Sequence, residues 1–451
     1  MPFLPQHALI VTRPPITQQS GEHGIAIADG LSRPLPVEGK FRYVRARLTL
    51  ESHGSSRSKR EKIAVTESTA TPISAARRLA AGIRDRADEI ERERRLPAEL
   101  VTALSEAGLF RLCVPRSLGG GEVDVTTMIR AIEEIAYADG SAGWCVMIGA
   151  TSGLVSGYLA ADAAREIYGA ASAITGGVFA PLGNATVVES GYRVSGRWAF
   201  ASGCQHCGWL MGGCVVFDDG KPRLLSSGLP DSRMMLFPLR DVEIIDTWTA
   251  AGLRGTGSHD MAVKELFVPA ERSVALVTDR PQQSGPLYAF PVFGLLALGI
   301  AGVALGIARN AIDELIRLAG AKTPSGSRRK LADRAVIQMQ VAQAEALLRS
   351  ARAFLFETVN ETWQAAQSEG AISIQQRALL RLAATHTTIS CAGVVDLMYN
   401  AGGGTSIYAT NPLQRCFRDI HVVTQHMMVA PPTFELAGRF FLGLDADASM
   451  L

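Results

Sequence analysis

The stretch Ser190-Gly-Tyr-Arg-Val-Ser-Gly-Arg-Trp-Ala-Phe-Ala-Ser-Gly203 is rich in aromatic and β-favouring residues between glycine turn signals. The same texture extends from about Ala171 to Val274, where Val-rich and aromatic runs alternate with turn pairs. Those pairs are Ser190-Gly191, Ser195-Gly196 and Asp218-Asp219-Gly220. β-branched and aromatic side chains fit a pleated, half-buried surface, whereas Ser, Asp and Gly punctuate it. The spacing predicts an antiparallel β unit of roughly a hundred residues.

Outward from this unit the sequence turns helical. A first helical pattern starts at Ser74, read as an N-cap, and runs to Arg95. Pro97 opens a second helix and Gly108 closes it. A third covers about 126–138. A fourth, 141–158, is apolar nearly all round and is therefore expected to be buried. After Pro291 helices return over about 292–320, 330–368, 374–398 and 411–441. The run Gly294 to Ala308 (GLLALGIAGVALGIA) is shorter than the about 20 residues that cross a bilayer, and its small residues suit tight packing. It reads as a core helix, and no membrane association is expected. The predicted fold is mostly α with a β domain (α+β). A helical domain spans 68–170, a central antiparallel β barrel or sandwich 171–275, and a C-terminal four-helix bundle 276–451. Residues 1–67 carry Pro14-Pro15 and the basic cluster Arg57 to Lys62 without a sustained period, and read as a disordered extension.

Composition narrows the function. Of 451 residues, 47% are hydrophobic and 20% charged, enough apolar surface to offset ordering entropy. Lys plus Arg (45) nearly cancels Asp plus Glu (43), so no net field exists to hold a nucleic-acid backbone. No basic segment followed by a short apolar core marks a secretory signal, and seven scattered cysteines are not a disulfide framework, so a cytoplasmic location is expected. Cys204-Gln-His-Cys207 has the spacing of half a zinc site but no second pair, and reads as structural. No metal is expected.

No GxGxxG follows a strand. Gly252-Leu-Arg-Gly255-Thr-Gly257 has other spacing and sits inside the β unit, so no built-in nicotinamide fold is expected. Three motifs in order on this architecture resemble the acyl-CoA dehydrogenase superfamily, over about residues 70–445. Asp246-Thr-Trp248 through Gly252-Leu-Arg-Gly-Thr-Gly-Ser-His-Asp260 and Phe267-Val-Pro269 is similar to the family's β-domain signature. Gly196-Arg-Trp-Ala-Phe-Ala-Ser-Gly203 resembles its flavin-facing strand. Asn400-Ala-Gly-Gly-Gly404 with Arg415-Cys-Phe-Arg418-Asp419 resembles the loop and helix that complete the cofactor site across a subunit boundary.

Dehydrogenation of a thioester needs a carboxylate base beside the flavin. In the common pattern that Glu lies eight residues after the Arg-Asp pair, and here the place is Met427. The other usual home, the long helix after the β domain, has no Asp or Glu between Gly294 and Ala308. His426 stands one residue short of the vacant place, which resembles the reduced-flavin, two-component monooxygenase branch. The resemblance implies that His426 deprotonates a phenol or assists oxygen transfer, and an imidazole suits either role at working pH. It implies that Ser202, beside Gly203, reaches the flavin N5 edge and slows peroxide loss, that Trp198 and Phe200 wall the ring, and that Phe179 covers it. Arg328 and Arg329, and the loop with Gly402 and Gly403, are candidates for the flavin phosphate, which needs cations or backbone N–H groups. The cofactor implied is reduced FMN or FAD. The partners implied are a separate NAD(P)H-dependent flavin reductase, O2, a small organic and in particular aromatic substrate, and three further copies of the chain in a homotetramer. Two alternatives stay open: an acyl-CoA dehydrogenase or flavin oxidase with a displaced base, and a non-catalytic flavin-binding protein.

Overall fold

The computed structural model describes residues 71–445, so the extension expected over 1–67 lies outside them. The segment from Ser74 to Arg95 is two helices, α1 (Pro72–Asp85) and α2 (Ala87–Glu93), which meet at Arg86. The N-cap is Thr71, whose hydroxyl accepts from the Ser74 N–H, so Ser74 itself lies in the first turn. α3 (Ala98–Glu106) follows Pro97 and ends before Gly108. α4 (Val125–Ala138) is capped by Asp124 and α5 (Gly140–Ser152) by Asp139. α5 is buried nearly all round, as its composition requires. α6 (Ala161–Tyr168) is a short amphipathic helix that the sequence reading passed over.

Eight strands follow: β1 (Thr175–Val188), β2 (Gly191–Ala201), β3 (Trp209–Asp218), β4 (Lys221–Pro222), β5 (Ser232–Pro238), β6 (Glu243–Ile245), β7 (His259–Pro269) and β8 (Ser273–Val274). Their order is β6-β7-β2-β1-β3-β5-β8, with β4 on β3. The sheet is mixed rather than antiparallel throughout, because β3 runs parallel to β1. That follows from the loop after β2, which crosses the start of β1 and enters β3 on the far side, where the Gly208 N–H donates to Ile174 O at 2.9 Å. Ser202 and Gly203 ride on this crossing. Ser195-Gly196 is not a turn. It lies within β2 at a register shift against β7.

After the sheet come α7 (Val292–Ala321), α8 (Ala335–Glu369), α9 (Ile374–Gly402), α10 (Pro412–Val423) and α11 (Pro432–Phe441). α8 starts later than expected, since Leu331–Asp333 forms only a single tight turn. Every residue of α7 from Gly294 to Ala308 is buried. A Cβ at Gly306 would stand 2.5 Å from Glu133 O, so the small residues let α4 lie directly against α7. The apolar run is the centre of the protein core. The segment 411–441 is two helices, separated by a strap around His426.

Candidate active site

α5 carries Trp144 into the core, where an indole N–H must find a protein partner. It finds Ser202 on the crossing loop, with Nε1 donating to Oγ at 3.0 Å. Ser202 Oγ also lies 2.7 Å from Ser258 Oγ, which is 2.7 Å from Thr256 Oγ1, which donates to Leu253 O at 2.8 Å. The Trp144 ring also meets the imidazole of His426, with ring centroids 5.7 Å apart. Trp144 thus links the two residues expected to carry the chemistry, Ser202 and His426.

His426 is not on a helix. α10 ends at Val423, and His426 caps the tight turn Met427–Val429, its Nδ1 accepting from the Met428 N–H at 3.2 Å. Nδ1 thus spends its lone pair on the backbone, and the neutral ring carries its proton on Nε2. Burial, and then the nearby Arg381 cation, push the His426 pKa down to about 4. Arg381, on α9, donates from Nη2 to Met428 O at 3.0 Å, so the strap is held from both sides. His421 is separate: its Nε2 meets Asp396 Oδ1 at 2.9 Å, and its ring packs edge-on to Phe417. Met427, at the place of the dehydrogenase Glu, is 65% exposed.

The other expected residues divide. Gly203 has φ +72°, and a Cβ there would stand 2.8 Å from His206 Nε2, so glycine is required for the crossing. Phe200 is 69% exposed at φ +69°, a conformation costly for a bulky residue, and its ring meets Trp248 edge-on. Such strain is characteristic of ligand clamps, and the pair offers an open aromatic face. Phe179 sits where β1 shifts register, against Phe293. Trp198, by contrast, walls nothing. It is fully buried, donates Nε1 to Gly213 O at 2.8 Å, packs on Phe237, and fills room left by Gly183, Gly196 and Gly212. Two residues apart on one strand would share a face, but the left-handed Phe200 breaks the alternation.

Gly402, Gly403, Arg328 and Arg329 belong to another region. Lys322 Nζ donates to Gly402 O at 2.8 Å and ties the 322–334 segment to the glycine loop. A Cβ on Gly402 would stand 2.2 Å from Ser406 Oγ, and Gly403 has φ +58° and ψ −147°, so both positions need glycine. Arg328 and Arg329 are exposed, and Arg329 donates to Asp333 O. The expected helix at Lys330 is absent there, so no helix terminus reinforces these cations. Sequence reasoning missed Trp144, Thr256, Ser258 and Arg381. The signal for Trp144 was available: a tryptophan on a helix apolar all round needs a polar partner.

Described residues hold no His/Cys/Asp/Glu grouping suited to a metal. All seven cysteines are buried and unpaired, and Cys204 and Cys207 aim their thiols at the carbonyls of Gly257 and Gly203. The site residues fit a flavin ring: a hydroxyl with one open lone pair, an exposed aromatic pair and a glycine turn that admits close approach.

Comparison with known proteins agrees. Residues 67–167 match the acyl-CoA dehydrogenase N-terminal domain and residues 298–431 the C-terminal domain. Indole-3-acetate monooxygenase of Pseudomonas putida is 35% identical over 369 residues, covering 80% of this chain and 92% of that one. The oxygenase subunit HsaA of a flavin-dependent monooxygenase from Rhodococcus jostii is 28% identical, covering 82% and 97%. The crystal structure of XiaF from Streptomyces, in complex with FADH2 and glycerol, superposes with a TM-score of 0.77 at 27% identity, covering 83% and 96%. The chain belongs to the acyl-CoA dehydrogenase superfamily. Within that superfamily it is a flavin-dependent monooxygenase of the two-component kind.

Proposed function

We propose that this chain is an oxygenase component that takes reduced FMN or FAD from a separate NAD(P)H-dependent flavin reductase and hydroxylates a small aromatic substrate with O2. Relatives named as oxygenase subunits, as a FADH2-dependent resorcinol hydroxylase and as indole-3-acetate monooxygenase support this reading. One oxygen atom enters the substrate and the other leaves as water. The bound reduced flavin supplies the two electrons that O2 activation requires.

The residues divide the remaining work. Ser202 would hold the flavin at its N5 edge against the crossing loop, and the exposed Phe200 with Trp248 would cover a ring face. Trp144 links this edge to His426 and keeps water out, which suppresses loss of peroxide. His426, neutral with its proton on Nε2, donates a hydrogen bond to a polar atom of the substrate and orients it. The Gly402–Gly403 loop, with Arg328 and Arg329, would hold the phosphate of a neighbouring protomer's flavin in a homotetramer, and the enzyme would work in the cytoplasm.

The observation that carries the reading is the Ser202–Trp144–His426 arrangement, with a neutral imidazole one residue before the place where a dehydrogenase has a carboxylate. The test supplies the chain with a flavin reductase, NADH, FMN, O2 and indole-3-acetate. Hydroxylated product appearing in step with NADH consumption is expected. Stoichiometric peroxide with every small aromatic acid tried, and turnover of an acyl-CoA instead, would overturn it.

A further inference from the structure

The hydroxyl relay behind Ser202 has a fixed direction. At one end Trp144 Nε1–H only donates, and at the other the Leu253 carbonyl only accepts. Thr256 gives its single proton to Leu253 O, so it must accept from Ser258, and Ser258 must accept from Ser202. All three hydroxyls are buried. Reversing the chain would forfeit the Thr256–Leu253 bond between buried groups, where a lost hydrogen bond is costly. Ser202 therefore already receives one proton, from Trp144, and has committed its own to Ser258. One lone pair remains. The side chain can accept from a ligand and cannot donate to it.

We infer that this relay selects the redox state of the cofactor, with Thr256 and Ser258 as positioning residues that act through Ser202. The N5 atom of reduced flavin carries an N–H and donates, whereas N5 of oxidised flavin offers only a lone pair. An acceptor-only Ser202 matches the first and leaves two lone pairs facing each other in the second. The inference rests on the reading above that Ser202 meets the N5 edge.

The experiment is an anaerobic titration of the apoprotein with oxidised and with reduced FMN, read as the ratio of the two Kd values. Thr256→Val and Ser258→Ala each free the Ser202 proton to turn toward the ligand. Each is expected to lower the ratio about five- to tenfold, mainly through tighter binding of oxidised FMN, the effect of one recovered buried hydrogen bond. Thr256→Ser keeps the donor to Leu253 O and is expected to keep the wild-type ratio, which a purely packing role for the threonine methyl would not. Thermal melts show which variants fold, and either interruption alone decides the matter. A wild-type ratio in a folded Thr256→Val or Ser258→Ala overturns the inference. Ser202→Ala separates the two readings. If it leaves both affinities at wild-type values, the placement of flavin at Ser202 fails, and the inference falls with it. If it lowers the ratio while the relay variants do not, the placement stands and only the directional relay fails.

Discussion

At His426 the proton is on Nε2 because the Met428 N–H occupies Nδ1. His426→Ala is expected to lower product formation by ~10²–10³-fold, the range for loss of one preorganised donor, with flavin binding little changed. His426→Asn, whose amide both accepts from Met428 N–H and donates, is expected to recover a large part. Equal losses in the two variants would contradict the donor role. The depressed pKa also fixes a pH window. Below about 6.5 the unfolded chain takes up a proton that folded His426 refuses until about 4, so this residue destabilises the fold progressively across that interval. His206, pushed down to about 4 by burial, adds in the same direction. Melting temperatures between pH 7 and 4.5 are expected to fall less steeply in His426→Asn than in the wild type. Ser202→Ala, assayed in the coupled reaction, is expected to divert electrons to peroxide without abolishing NADH consumption. Ser202 and His426 were legible because a motif and a spacing named them. Trp144 was signalled only as an indole on a helix apolar all round, with no pointer to its partner, and the role of Thr256 and Ser258 exists only once the Leu253 loop meets the crossing loop.

Among the elements, α10 does the most to assemble the site. Its buried Asp419 accepts from the Leu253 N–H at 2.6 Å, and so anchors the loop on which the hydroxyl relay ends. A Cβ on Gly252 would stand 2.2 Å from Arg418 O, so the loop lies directly on the helix. Burial, and the Asp139 charge next, raise the Asp419 pKa to about 7. Folded Asp419 thus keeps a proton that the unfolded chain loses above about 3.8, and its contribution to stability declines between about pH 4 and 7. Asp419→Asn retains an acceptor for Leu253. Urea unfolding is expected to show it gaining on the wild type from pH 5 to pH 8, and a constant difference would contradict the assignment. Asp419→Ala strands a buried N–H and is expected to cost about 1–3 kcal/mol at either pH. Hydrophobic periodicity showed the long helices, but not where they break. The expected 411–441 helix is interrupted because His426 turns its side chain back onto the chain, and the Ser74 to Arg95 helix is interrupted at Arg86. The parallel β1–β3 pair was equally hidden, because turn signals mark where strands end and not which neighbour they join.

Across the whole molecule, Val336 and Met339 on α8 and Ile407 and Tyr408 in the loop after the glycines are each more than half exposed, as are Leu182, Leu224 and Leu229 in the β region. Such surface suits an interface between copies. Light scattering is expected to give a tetramer, and a monomer that still binds flavin would contradict a site shared across protomers. The central claim, oxygenation with reduced flavin, has a direct measurement. The chain, a flavin reductase, NADH, FMN and indole-3-acetate are incubated under ¹⁸O₂, and the product is weighed by mass spectrometry. One ¹⁸O atom per product molecule is the expected result, with none from water. An unlabelled product, or labelled peroxide as the sole fate of the oxygen, would contradict the account.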